Sequence, residues 1–190
     1  PGELNEFELA SRLSYFLTSG PPDETLVRLA SAGKLGDSKV LRKQTRRLLR
    51  DSKQFGEDFT DQWLGLAAID RLMPDTRLIR KFTEAHRKGM KDEVALTFRE
   101  GLDNNRPVCD LIAPDHVCTN ESVGRDIYGL SRFKPIRQNK KRTSKNGMQK
   151  VEIDPHGRIG GLLTMPAVMM ATANGVDTQP VLRGVWLLEN

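Results

Sequence analysis

The stretch NEFELASRLSYFL, residues 5–17, decides how the chain folds. Asn5 can accept hydrogen bonds from the first free backbone N–H groups of a helix. Glu8, three residues on, can reach back to the Asn5 N–H and complete a capping box, with Leu4 and Leu9 at the two staple positions. Leu4, Phe7, Ala10, Leu13 and Leu17 then recur at three-to-four spacing, the period of one apolar helical face. Ser19, Gly20, Pro21 and Pro22 stop it. An amphipathic helix with a written entry and a written stop sets the pattern for the rest of the chain.

Outward from that helix, Pro22 suits the first turn of a second one, with Leu26, Leu29 and Ala30 on one side and Gly33 ending it. Asp37 caps a basic third helix through Leu48 and Leu49. Asp51 or Ser52 opens a fourth, whose aromatic stripe of Phe55, Phe59, Trp63 and Leu66 reads as core packing. After Met73, Pro74 and Asp75, a long helical pattern runs from Thr76 to about Asn104, with Leu78, Phe82, Ala85, Val94 and Leu102 inward. Gly89 marks a kink or a close helix crossing. The segment from Asn104 to Pro114 is turn-rich, with room for one helical turn from Cys109 to Ala113. A short helix capped by Asn120 carries Val123, Ile127 and Tyr128. Met148, Val151 and Ile153 suit a short extended segment. Thr164 caps an apolar helix with Pro166 in its first turn, and Thr178 and Pro180 introduce a last helix that is still running at Asn190. The expectation is a mainly α, irregular multi-helix bundle of two abutting helical modules, with at most one short β segment near residues 148–153. Residues 4–104 form the first module, 105–149 an irregular connector with a basic loop, and 150–190 the start of a second module cut short at its C-terminus. Any export signal would lie upstream of Pro1.

Composition narrows the function classes. The 190 residues are 37% hydrophobic and 29% charged, as in an ordinary globular protein. The apolar run from Leu162 to Ala173 is broken by Thr164, Pro166 and Thr172, so it lacks the roughly 20 apolar residues of a membrane span. Cys109 and Cys118 are not spaced as CxxC or CxxCH, which argues against a zinc ribbon or a covalently held haem in this chain. The pair either closes a loop through Pro114 in an oxidising compartment or stays as two free thiols.

The net charge of +5 is concentrated, with eight Lys or Arg and no Asp or Glu from Arg132 to Lys150. Arg137, Lys140, Lys141, Arg142 and Lys145 form a run able to grip an acidic polysaccharide, a sulfated polymer or a phosphate. A solvated loop explains the same run. Nucleic acid is disfavoured, because Phe133 is the only aromatic nearby and no nucleic-acid-binding signature accompanies it. Asp154, His156 and Arg158 precede Gly160 and Gly161, the best local imitation of a catalytic loop, although turn chemistry accounts for Asp–Pro and His–Gly equally well. Thr178 and Arg183 at the start of the last helix could hold a carboxylate or sulfate. The plainer account is an Arg183 buried one turn from Trp186. His86, Met90 and Glu93 share one side of the long helix and could ligate a metal or, for His86 and Met90, a haem iron, yet their spacing matches neither HExxH nor the Glu-x-x-His of di-iron bundles. On this reading Glu93 pairs with a Lys or Arg, His86 lies at a surface or boundary, and no metal is assigned.

Four separated stretches carry a resemblance: ELASRLSYFL (residues 8–17) followed by Pro22 and Asp23; DQWLGL (61–66); Asn120 and Glu121 leading to Tyr128 and Gly129; and GGLLT (160–164) with TQPVLRGVW (178–186). Together they resemble the adjacent modules of unknown function in large secreted planctomycete proteins that often carry c-type cytochrome domains. Thr18 stands where an aromatic is common, and the His often found beside the Tyr equivalent to Tyr128 is missing. The resemblance implies an extracytoplasmic setting, haem c on a separate domain, and other domains of the same polypeptide as partners. It implies no activity. The expected function is a noncatalytic structural or interaction module; the alternative is part of an extracytoplasmic enzyme acting on a polysaccharide or other acidic substrate.

Overall fold

The computed structural model describes residues 4–52, 54–112, 114, 116–130, 147–152 and 161–189. Local capping builds the first unit, which extends to Asp58. In α1 (Glu6–Thr18) the Asn5 side chain accepts from the Phe7 and Glu8 N–H groups at 3.0 and 2.9 Å, and Glu8 accepts from the Asn5 N–H at 2.9 Å. The expected capping box is present. The buried face is rotated from the expected one: Ala10, Ser14 and Leu17 are inside, whereas Leu4 and Phe7 are exposed. Ser14 can be buried because its hydroxyl donates to the Pro21 carbonyl at 2.9 Å.

Helix α2 (Glu24–Ser31) starts after Pro22, because Asp23 takes the cap and accepts from the Leu26 N–H at 2.9 Å. Gly33, at φ +64°, follows α2 with the left-handed backbone that a helix terminator needs. Helix α3 (Ser38–Asp51) is capped as expected by Asp37, which accepts from Lys39 and Val40. Both α2 and α3 pack on α1. Glu6 fixes the turn before α3 by accepting from the Leu35 and Gly36 N–H groups at 2.6 and 2.9 Å.

The second unit begins at Phe59, inside α4 (Phe55–Trp63). Its long helix α5 runs Glu84–Asp103, not from Thr76. Asp75 prevents the earlier start by spending its carboxylate on the Arg77 N–H, at 2.7 Å, in a local turn that competes with helix. Leu78 is consequently exposed rather than inward. The single turn α6 (Cys109–Ile112) forms where expected. The sequence offers no sign of a second strand, yet β1 (His116–Thr119) pairs antiparallel with β2 (Gln149–Glu152), Val117 opposite Val151 and Cys118 opposite Lys150. Two strands, not one, therefore accompany the helices. Asn120, at the entry to a π-type turn, Val123–Ile127, accepts from the Val123 N–H at 2.9 Å, while Ser122 holds the turn's cap position.

Helix α7 (Pro166–Ala171) begins with Pro166, but its cap position is Met165; Thr164 belongs to the preceding tight turn, Leu162–Thr164. Helix α8 (Pro180–Glu189) closes the described chain, and Thr178 bridges to Ala173 rather than capping it. The core of this unit gathers Leu64, Leu66, Ile69, Met90, Val94 and Val117 with Val123, Val151, Met165 and Val168. Segments 105–149 and 150–190, read from sequence as connector and second module, thus supply β1, β2 and α7 to the same compact unit as α5. The chain is mainly helical, with a small two-stranded sheet.

Candidate functional site

Helix α5 carries charged side chains into the core of the second unit, and each needs a physical account. Glu93 has no exposed surface. The Tyr128 hydroxyl donates to its Oε1 at 2.6 Å. Its Oε2 has no hydrogen-bond partner among the described residues, and neither do the hydroxyls of Thr97 and Thr119. Burial pushes the Glu93 carboxyl up to about 8, opposed by the Tyr128 bond and by the Thr119 hydroxyl, which stands near the carboxylate without hydrogen-bond geometry. The side chain is therefore mostly a neutral acid at pH 7. Tyr128 is itself pushed up, by burial first and then by Glu93. The sequence expectation of a Lys or Arg partner for Glu93 is corrected: a neutral acid hydrogen-bonded to a phenol avoids burying two charges.

Two turns further along α5, Glu100 accepts from the Lys150 ammonium of β2 at 3.1 Å and lies 3.5 Å from His116 Nε2. Cys118, between them on β1, has its thiol pushed up to about 11 by burial and then by the Glu100 charge. It is a free thiol, as is the exposed Cys109. A protonated thiol is a poor nucleophile, so Cys118 is built for packing.

At the N-terminus of α5, His86 is buried rather than at a surface or boundary. Its Nδ1 accepts from the Thr83 N–H at 3.1 Å and lies 2.8 Å from the Thr83 hydroxyl, while Nε2 lies 3.0 Å from Asp126. Hydroxyl, imidazole and carboxylate in series resemble a proton relay. The Nδ1 lone pair, however, is already shared with the backbone N–H, which makes the imidazole a capping group for the helix. Met90 points instead into the apolar core. His86, Met90 and Glu93 thus have three separate surroundings, and the ligand pairing weighed for His86 and Met90 does not form. No group of three or more His, Cys, Asp or Glu arranged for a metal occurs among the described residues.

Above this core runs an open groove of about 500 Å³ lined by Lys88, Asp92, Asn120, Glu121 and Gln149, among others. Gly89 explains how the walls come so close. A Cβ there would stand 2.6 Å from Asn120 Nδ2 and 2.8 Å from Val123 Cγ2, so Gly89 serves a close approach.

Of the residues picked out in the sequence, Arg137, Lys140, Lys141 and Arg142, and with them Asp154, His156 and Arg158, lie outside the described residues. Thr178 and Arg183 are described, and Arg183 is already engaged: its Nε donates to Thr172 Oγ1 at 3.1 Å and its NH2 to the Met169 carbonyl at 3.4 Å. The guanidinium thereby closes the C-terminal turn of α7. Two further surfaces escape a reading of the sequence for sites. One is α8, where Trp186 faces the core and its Nε1 donates to the Leu64 carbonyl at 3.2 Å, while Val181 (76% exposed), Val185 and Leu188 (89% exposed) face solvent. The other is α3, where Lys39, Arg42, Lys43, Arg46, Arg47 and Arg50 line a groove of about 670 Å³ with Ser38 and Gln44. The signal that could find both is i, i+3, i+4 spacing.

Residues 4–130 match the family described as "Protein of unknown function (DUF1592)". The chain belongs to the DUF1592 family. The match covers the first unit from Leu4 onward and the second through α5, β1 and the turn bearing Tyr128; β2, α7 and α8 of this DUF1592 chain lie beyond it. No curated protein and no solved structure matches the chain. Among the described residues no helix is long and apolar enough to cross a membrane.

Proposed function

We propose that this DUF1592 chain is a noncatalytic interaction module of a secreted, multidomain polypeptide that carries haem c on another domain, and that α8 docks it to a neighbouring domain of that polypeptide. The observation that supports this reading is the division of α8 into two faces. Arg183 and Trp186 anchor it through α7 and the Leu64 carbonyl, and Val181, Val185 and Leu188, one above the other on the opposite side, are left in water. A face of contiguous exposed aliphatic side chains on an anchored helix is the signature of a docking surface. A helix lying on a lipid surface would carry Lys or Arg along its polar face; α8 has Arg183 alone, and it is engaged. The occupant is therefore an apolar protein surface. Covering Leu188, the most exposed of the three, contributes at most roughly 1.5–3 kcal/mol, and Val181 and Val185, already partly covered, contribute less.

Calorimetric titration of the chain with the domains that flank it in the whole polypeptide tests the proposal. Association is expected, and Val181→Asp with Leu188→Asp should abolish it while leaving the thermal transition in place, since both side chains are exposed. Flanking domains that do not bind the wild-type chain, or that bind the double variant equally well, would remove the reading. Concentration-dependent dimerisation instead would reassign the face to a second copy.

A further inference from the structure

Along α3 the cations fall at positions 39, 42, 43, 46, 47 and 50, which is i, i+3, i+4, i+7, i+8 and i+11. One helical face therefore carries six positive charges over about 16 Å. Their uses differ. Arg47 is tied down, its NH1 and NH2 donating to Asp23 at 2.7 and 3.2 Å and its Nε to Gln44 at 2.7 Å, which holds the Asp23 carboxyl below the usual carboxylate range. Arg50 pairs with Asp51. Lys39, Arg42, Lys43 and Arg46 have no ion-pair partner among the described residues.

A solvated helix face ordinarily interleaves acids with bases, because like charges one turn apart repel. From Ser38 to Arg50 there is no acid at all, so Lys39 opposes Lys43, Arg42 opposes Arg46, and Arg46 opposes Arg50. Lys39 and Arg42 also sit near the helix N-terminus, where the backbone dipole disfavours a cation. The unit carries this repulsion on a rigid support, since Leu48 on the opposite side is buried and α3 packs on α1. We propose that the exposed face of α3 is a binding surface for an anionic polysaccharide, with Lys39, Arg42, Lys43 and Arg46 contacting its sulfate or carboxylate groups.

Charge complementarity sets the ligand class, and the lining sets the kind of polymer. None of the groove's lining residues is aromatic, so single-stranded bases have no platform to stack on. The only amide in the lining, Gln44, is buried and occupied by Arg47, so it is not offered to a base edge. No apolar side chain lies among the exposed cations, which leaves nothing to insert into a bilayer. A flexible linear polyanion whose charges lie along its length needs only what α3 presents: a row of cations in an open groove, with arginines able to grip a planar or tetrahedral oxyanion by two donors. This surface is distinct from the basic stretch 132–150 in the sequence, and it goes beyond the α8 reading.

The test is isothermal titration calorimetry of the whole chain with a heparin-derived oligosaccharide, with polygalacturonate and with duplex DNA of equal charge, at several salt concentrations. Arg42→Ala with Arg46→Ala should weaken polysaccharide binding by about tenfold or more and lower the slope of log affinity against log salt by about 1 to 2. Arg80→Ala with Lys81→Ala, an exposed pair elsewhere, should leave both unchanged, and Arg42→Lys with Arg46→Lys should retain most of the affinity. Stretch 132–150 is present in every variant, so the differences belong to α3. The melting temperature of each variant, measured alone, separates unfolding from lost contact. Absence of salt-sensitive binding to both polysaccharides, or equal losses in the α3 and control pairs, would overturn the proposal. Tighter binding of the DNA than of either polysaccharide would overturn the ligand class and assign the face to nucleic acid.

Discussion

Glu93 should make the second unit lose stability as the solution becomes more alkaline. In the folded state its carboxyl titrates near 8; unfolded, it returns to 4.5. Between those values the native chain holds a proton that the unfolded chain has released, so raising the pH pulls the equilibrium toward unfolding. The contribution is fully present below about pH 4.5 and is lost as the pH rises through about 8. The slope in that window is about 1.4 kcal/mol per pH unit, and the whole span is worth about 5 kcal/mol, an upper limit because water entry and local rearrangement relieve a buried charge. That is comparable with the net stability of a small domain, ~5–15 kcal/mol.

Glu93→Gln isolates the effect. The amide keeps an acceptor for the Tyr128 hydroxyl, places its NH2 toward the unpartnered side near Thr119, and cannot ionise. Urea denaturation at pH 5, 6, 7 and 8 should therefore show similar stabilities for wild type and variant at pH 5, with the variant pulling ahead by about 1 kcal/mol or more for each pH unit above it. The two tryptophans, Trp63 and Trp186, both lie in the second unit, so their fluorescence reports on that unit alone. Curves for wild type and Glu93→Gln that fall in parallel from pH 5 to 8 would show that Glu93 is not the neutral acid its burial requires.

The same helix and sheet set two other outcomes. Gly89→Ala should destabilise the second unit by about 1–2 kcal/mol in the same urea assay, because overpacking against Val123 and Asn120 outweighs the roughly 1 kcal/mol that alanine adds to a helix; a stabilised variant would mean the crossing is looser than its 2.6 and 2.8 Å approaches. Iodoacetamide at pH 8 should alkylate the exposed Cys109 promptly and spare Cys118, whose thiolate fraction with a value near 11 is about one in a thousand. Mass spectrometry of the labelled peptides reads this directly, and equal labelling of both would contradict the burial of β1.

Elements whose specification is local are legible in the sequence. Asn5 with Glu8, Asp37 and Gly33 act on backbone groups within a few residues of themselves, so α1, the start of α3 and the end of α2 can be read off directly. Where two local programmes compete, periodicity misleads: the apolar spacing through Leu78 and Phe82 suggests helix, but the Asp75 carboxylate reaches the Arg77 N–H first. Strand β1 is invisible because its four residues gain their hydrogen bonds from Gln149–Glu152, about thirty residues away, and four residues carry too little periodicity to announce a strand. The Glu93–Tyr128 bond spans thirty-five residues and has no signal in either segment alone.

The basic and apolar surfaces are hidden for a different reason. In linear sequence the densest basic stretch is 132–150, and the cations of α3 look dilute because Val40, Leu41, Thr45 and Leu48 separate them. Coiling the chain at 3.6 residues per turn sorts the two sets onto opposite sides, so interruptions in sequence become the buried anchor and the cations become continuous. Helix α8 undergoes the same sorting with opposite polarity: VLRGVWLL reads as one apolar run, yet Arg183 and Trp186 turn inward and Val181, Val185 and Leu188 turn out. In both helices specific hydrogen bonds, Arg47 to Asp23 and Trp186 to Leu64, fix the element to its own unit and so hold the outward face in one orientation. A surface held that way loses less conformational freedom on binding than a mobile one, which is why these two faces, rather than the sealed Glu93 cluster, carry the functional readings.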